Sequence, residues 1–233
     1  MTMALRNDQT SPPPSNTHLV QHLGPMLKLQ TQHMYFLIRN LSYFRLNHSE
    51  QLSPFIEEVA LEDLVGQVVQ GWEIQAQKSQ IHLTYLNCTQ MLQSQPQAER
   101  QPEAEVEVQV STDRMFLKQI LDNLISNALK YSPPESQVKI TVDTHQDDLL
   151  IEVSDQGPGI PHRDQERIFK RFERAGNPDR PREHSIGLGL WIVSLLAPLI
   201  HGQVDIVHSS NQGSTFRLTL KEALSFPVGR ELS

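Results

Sequence analysis

Apolar positions recur at helical spacing from Met26 to Leu46, where Leu27, Met34, Leu37, Ile38, Leu41 and Phe44 fall near one stripe. Gly24-Pro25 stands ahead of them, and a proline at the first helical position gives up only a donor that would lack a partner anyway. The spacing predicts an amphipathic helix within residues 25–50. Ahead of it the stretch 1–24, with Ser11-Pro-Pro-Pro-Ser15 and little apolar periodicity, reads as a flexible tail. Ser53-Pro54 breaks the helical pattern. Phe55 to Ala60 then reads as a short strand, Glu62–Gln77 as a helix carrying Leu64, Val68 and Ile74, and Ile81–Leu86 alternates as a strand. Gln90–Glu105 is rich in Gln, Glu and Pro and poor in core formers, which predicts an exposed insertion.

Val106–Val110 alternates again, and Asp113 stands where it can cap a long helix over 113–131 whose stripe is Leu117, Leu121, Leu124 and Ala128. Ser132-Pro-Pro134 ends it. Strands are predicted at Val138–Val142 and Leu149–Val153, followed by a long loop to Ser185 bearing Gly, Pro and Arg. A helix over Leu188–Ile200 follows, which Pro198 should bend or end early. Strands at Gln203–His208 and Thr215–Leu220 precede a tail at 223–233. Helices mixed with hairpins indicate an α+β fold, a two-layer α/β sandwich in which one mixed sheet is covered on one face by helices. The domain is expected over residues 53–222.

Composition narrows the class. The chain has 233 residues, 38% of them hydrophobic and 20% charged, a balance that excludes collagen-like and wholly disordered chains. No run approaches the roughly 18–20 apolar residues that span a bilayer, and the first residues lack the apolar stretch of a secretory signal. The single cysteine, Cys88, cannot form an intrachain disulfide, which fits a reducing cytoplasm. A net charge of −7 argues against nucleic acid as a partner. Between Pro161 and Ile186, however, seven basic residues face five acidic ones, so this loop suits a compact anion.

Three features carry candidate chemistry. Asn123, Asn127 and Lys130 share a face of the 113–131 helix, away from its apolar stripe. Amide oxygens suit the hard, octahedral Mg²⁺ ion and a lysine supplies a point charge for phosphates; the same face equally suits a solvated helix surface. Asp155-Gln-Gly157-Pro-Gly159 follows a strand directly. Its glycines let the backbone turn and approach a flat ligand, and its carboxylate can accept from an exocyclic amine, although an ordinary turn has the same composition. Gly187-Leu-Gly189-Leu190 opens a helix whose N–H groups favour an anion; it lacks both the full dinucleotide fingerprint and the P-loop lysine.

Taken in order, Asn123-Leu-Ile-Ser-Asn127-Ala-Leu-Lys130-Tyr131, Asp155-Gln-Gly-Pro-Gly159, Ile168-Phe-Lys-Arg-Phe172-Glu-Arg174, Gly187-Leu-Gly189-Leu190 and Gly213-Ser-Thr215-Phe216 resemble the successive boxes of the ATP-binding catalytic domain of sensor histidine kinases. That family shares its Bergerat nucleotide fold with gyrase, a heat-shock chaperone and the mismatch-repair ATPases. The resemblance covers Phe55–Leu220. It implies that Asn127, helped by Asn123, coordinates Mg²⁺ on the ATP phosphates, and that Lys130 and Tyr131 contact phosphate and nucleoside. It implies further that Asp155 takes the adenine amine, that Gly157, Gly159 and Ile160 shape the pocket floor, and that Gly187, Leu188, Gly189 and Leu190 lie against the phosphates. Thr215 would support Asp155 through a water. Phe169 and Phe172 would anchor a lid, with Arg171, Arg174 or Arg182 available to the γ-phosphate. Hydrolysing relatives carry a glutamate where this chain has Asn123, and an amide is a poor general base, so the resemblance points to transfer to histidine in two-component signalling.

The acceptor motif of that family, a histidine followed by an acid, a basic residue and proline, is not matched at His18, His22, His33 or His48. The helix within 25–50 is similar to the second helix of the dimerisation hairpin. The expectation is therefore an ATP-dependent histidine kinase module whose acceptor lies elsewhere or in trans, partnered by a response regulator or a kinase through residues 25–50. The alternative is a degenerate ATP-binding regulator, in which Ile186 narrows the phosphate end of the pocket.

Overall fold

The computed structural model describes residues 53–89, 108–175 and 187–225. The expectations for 1–24, for 25–50, for the insertion at Gln90–Glu105 and for Arg182 lie outside those residues.

The chain enters through β1 (Glu57–Ala60), α1 (Leu61–Lys78), β2 (His82–Asn87) and β3 (Gln109–Thr112). It continues through α2 (Arg114–Tyr131), β4 (Gln137–His145), β5 (Asp148–Ser154) and α3 (His162–Gln165), with a 3₁₀ turn at Arg167–Phe169. After α4 (Gly189–Leu196) and a second 3₁₀ turn (Ala197–Ile200) come β6 (Gly202–Ser210), β7 (Gly213–Leu220) and β8 (Leu224–Ser225). The main sheet has the order β2-β4-β5-β7-β6, parallel only at β2–β4 and hence mixed.

Alternation decides which face is covered. Val138, Ile140 and Val142 of β4, Leu149, Ile151 and Val153 of β5, and Leu218 and Leu220 of β7 are all fully buried, whereas the residues between them are half-exposed and mostly polar. Opposite the buried face, α2 contributes Leu117, Ile120, Leu121, Leu124 and Ile125, and α4 contributes Ile192, Val193 and Leu196. The core lies between these two layers. On the other face Glu152 and Arg217 stand opposite one another in register and are ion-paired, the guanidinium Nε donating to Oε1 at 2.8 Å.

Two expectations need correction. A single sheet was expected, but β1, β3 and β8 form a separate three-stranded antiparallel sheet of order β1-β3-β8. The tail expected from residue 223 instead begins with ordered chain: Ala223 is buried, its carbonyl accepts from Ser111 N–H at 2.8 Å, and β8 pairs with β3. A two-residue strand leaves no alternation to read, so only the pairing reveals it.

The helix ends follow local chemistry. Asp113 caps α2, accepting from Phe116 N–H at 2.9 Å, and its second oxygen accepts from Phe55 N–H at 2.8 Å, tying the chain ahead of β1 to the helix. Pro198 stops the α-helical pattern at Leu196 and sits in the following 3₁₀ turn, which closes on His201 with φ 56°.

Candidate active site

The side chains of interest converge where the second half of α2 meets the start of α4 and the loop after β5. Asn123 is only 1% exposed, and Asn127 and Lys130 on the same face of α2 are half-buried. Asn123 Nδ2 donates to Gln119 O at 2.7 Å, which fixes the amide and leaves Oδ1 buried with no hydrogen-bond partner. Gly189 makes room for it. A Cβ there would stand 3.0 Å from Asn123 Oδ1, 3.7 Å from Asn127 Nδ2 and 3.8 Å from Asn127 Oδ1. The second glycine of the Gly187-Leu-Gly189 turn therefore lies directly on the two amides.

Lys130 Nζ is likewise buried without a hydrogen-bond acceptor, 5.0 Å from the centre of the Tyr131 ring. An ammonium held there offers an uncommitted positive charge beside Asn127, one helical turn away. The Tyr131 side chain is 42% exposed, while its backbone carbonyl would meet a Cβ on Gly157 at 2.9 Å. This close approach of the α2 C-terminus to the β5 loop is why only glycine fits at 157.

Asp155 follows the last residue of β5. Its Oδ1 accepts from Gly157 N–H at 2.8 Å and from Ser214 N–H at 3.3 Å, and its own N–H donates to Ser214 O at 2.9 Å. Burial raises the carboxyl above its ordinary value, and the two backbone donors pull it partly back. Gly159 has φ +71°, and a Cβ on it would fall 1.8 Å from Ser210 O; Ile160 N–H donates to Ser209 Oγ at 2.7 Å. Thr215 bonds its hydroxyl to Ser154 at 2.9 Å, so the direct protein donor to Asp155 on this strand is the neighbouring Ser214.

Of the loop after Ile160, the described part runs to residue 175. Ile168 is buried and the Phe169 ring meets Phe216 edge-on at 6.3 Å, while Ser194 Oγ donates to Phe169 O at 3.3 Å. Phe172, expected as a second anchor, is 56% exposed at φ 64°, with its N–H donating to Gly187 O at 3.0 Å. The Arg171 guanidinium lies 4.8 Å from the Phe172 ring and 5.7 Å from Trp191. Arg174 is half-buried, and Arg167 is paired with Glu173 at 3.0 Å. Leu188 is buried beneath the turn and Leu190 is half-buried on the first turn of α4.

The geometry thus joins Asn123, Asn127 and Gly189 in one cluster, and Tyr131, Asp155, Gly157 and Gly213 in an adjoining one. Two serines absent from the sequence reading bond to this region: Ser214 N–H donates to Asp155 and Ser209 Oγ accepts from Ile160 N–H. Ser214 lies within the Gly213-Ser-Thr215 box and was within reach of the sequence; Ser209 depends on a strand irregularity that no motif marks.

Residues 112–224, the part of the chain that carries this site, match the family described as "Histidine kinase-, DNA gyrase B-, and HSP90-like ATPase". The sensor-like histidine kinase SenX3 of Mycolicibacterium smegmatis is 31% identical over 178 residues, covering 76% of this chain and 42% of that protein. Full-length ShkA in complex with AMPPNP superposes with a TM-score of 0.66 at 22% identity, covering 89% of this chain and 40% of that one. The histidine kinase ThkA in complex with the response regulator TrrA gives a TM-score of 0.58 at 21% identity, covering 85% and 51%. At these identities the two structures share the fold. The chain spans less than half the length of curated relatives such as SenX3. Among the described residues no helix is long and apolar enough to cross a membrane.

Proposed function

We propose that this chain binds Mg-ATP between α2, the Asp155 loop and the start of α4, and presents the γ-phosphate to a histidine in two-component signalling. The observation that carries it is the cluster of Asn123, Asn127 and Gly189 beside Lys130, with Asn123 Oδ1 and Lys130 Nζ both buried and without hydrogen-bond partners. A buried orphan acceptor and a buried orphan cation are costly unless a ligand satisfies them. A metal–phosphate group satisfies both.

Asn123 and Asn127 are the residues that would hold Mg²⁺, through hard amide oxygens; when bound, the ion neutralises phosphate charge. Lys130 adds a point charge, and Gly187 and Gly189 let the backbone come close. Asp155 accepts from the exocyclic amine of adenine, which its two backbone donors hold it in position to do. With an amide at Asn123, this position offers no base to take a proton from water, which favours transfer over hydrolysis. Positioning and charge neutralisation then do most of the chemistry. The receiving histidine lies on a partner or elsewhere in a longer protein, and a response regulator is the downstream acceptor, as in the ThkA–TrrA pair. Residues 25–50 serve association, so sedimentation equilibrium is expected to show a species larger than the monomer.

Replacing Asn127 with Ala is expected to abolish measurable Mg-ATP binding by calorimetry while the far-ultraviolet spectrum stays native; unchanged affinity would falsify this reading. Label from γ-phosphate-labelled ATP should appear as acid-labile, base-stable phosphate on a partner that carries the receiving histidine. Binding without any such label would favour the regulator instead.

A further inference from the structure

The loop that carries Asp155 is fastened to the β6–β7 hairpin at its far end as well as at Asp155. Ser209 Oγ accepts from Ile160 N–H at 2.7 Å and lies 3.3 Å from Ile160 O, close enough to donate back. The same hydroxyl is 3.0 Å from Ser214 Oγ, and Ser214 N–H donates to Asp155 Oδ1 at 3.3 Å. One serine hydroxyl therefore links the end of the pocket floor to the residue that supports the carboxylate.

Strict alternation would not put Ser209 there. Ile206 faces Phe216 and Ser209 faces the buried Ser214, an odd separation on one strand against an even one on the other. The register shifts between Ile206 and His208, where Val207 is the extra residue of a β-bulge. Without it, position 208 or 210 would take the inward place and the serine would point to the opposite face. Bulges commonly re-aim a side chain near a functional site, and here the re-aimed group bonds the floor.

We propose that Ser209 is a positioning residue for nucleotide binding: aimed inward by the bulge at Val207, its hydroxyl clamps Ile160 and holds the floor from Asp155 to Ile160 in the geometry that receives the base. This rests on the nucleotide-binding reading above. Because the clamp acts at the base end, its removal weakens ATP and ADP alike, whether or not Mg²⁺ is present.

The test is calorimetry of the whole chain with ATP and ADP, with and without Mg²⁺, for the natural sequence, Ser209→Ala and Ser209→Thr. Amide hydrogen exchange at Ile160 is followed in parallel. Ser209→Ala is expected to lose about three- to tenfold in affinity for both nucleotides, the worth of one neutral hydrogen bond, and to speed exchange at Ile160. Ser209→Thr, which keeps the hydroxyl, is expected to restore both. Unchanged affinity in Ser209→Ala overturns the proposal while the nucleotide reading stands. So does a loss confined to Mg-ATP, or an equal loss in Ser209→Thr. A natural chain that binds neither nucleotide overturns both readings.

Discussion

Asp155 pays for its position. Burial raises its carboxyl, meaning that folding favours the protonated form. The sign follows from linkage: below the ordinary carboxylate range both folded and unfolded forms are neutral and no penalty exists, while above the raised folded value the anion's desolvation penalty is present in full. Asp155→Asn keeps an oxygen to accept from Gly157 and Ser214 but removes the charge. It is expected to raise the nucleotide-free unfolding midpoint at neutral pH and to weaken Mg-ATP binding by roughly ten- to a hundredfold, the scale of a charged hydrogen bond. The affinity ratio between the natural chain and this variant should shrink as the pH falls through the raised value of Asp155, a comparison in which titration of the nucleotide phosphates cancels. A ratio flat with pH would exclude an ionised Asp155 from recognition. Asp155 was legible in the sequence because a carboxylate followed by two spaced glycines is a local pattern. Ser209 was not, because its role arises from the register between two strands.

Among the elements, α1 carries two interior glycines, Gly66 and Gly71, and among the described residues neither has a heavy atom from outside its own helical turn within 4 Å of where a Cβ would stand. None of the described residues packs into the space they leave, unlike at Gly157, Gly159, Gly189 and Gly213 in the site. Gly71→Ala is thus expected to stabilise the fold by about 0.5–1 kcal/mol in urea unfolding, through lower backbone entropy of the unfolded chain, and to leave nucleotide affinity unchanged. α2 and α4 were predicted nearly to their ends because caps and breakers are local: Asp113 at one, Pro198 at the other. β3 runs over Gln109–Thr112, pairing with β1 and β8, and the Val106–Glu107 part of the predicted strand lies outside the described residues.

At the scale of the molecule, the small sheet closes residues from the two ends of the described chain onto β3. A chain ending at Glu222 lacks buried Ala223 and the β8 pairing, and is expected to be less stable than one ending at Ser225 by about 1–3 kcal/mol in denaturant unfolding, from lost burial and unpaired backbone. Equal stability would show that β8 adds nothing. The sequence by itself determined the longer helices and the strands of the main sheet, the two-layer class and the order of the boxes, because hydrophobic period, caps and glycine turns act over a few residues. Only the tertiary structure decided that Asn123 and Asn127 meet Gly189, that Tyr131 O abuts Gly157, that Phe172 N–H donates to Gly187 O, and that Ser209 faces Ser214. Those are contacts between residues far apart in the chain or reset by a bulge, and their geometry comes from how the layers pack and the strands register.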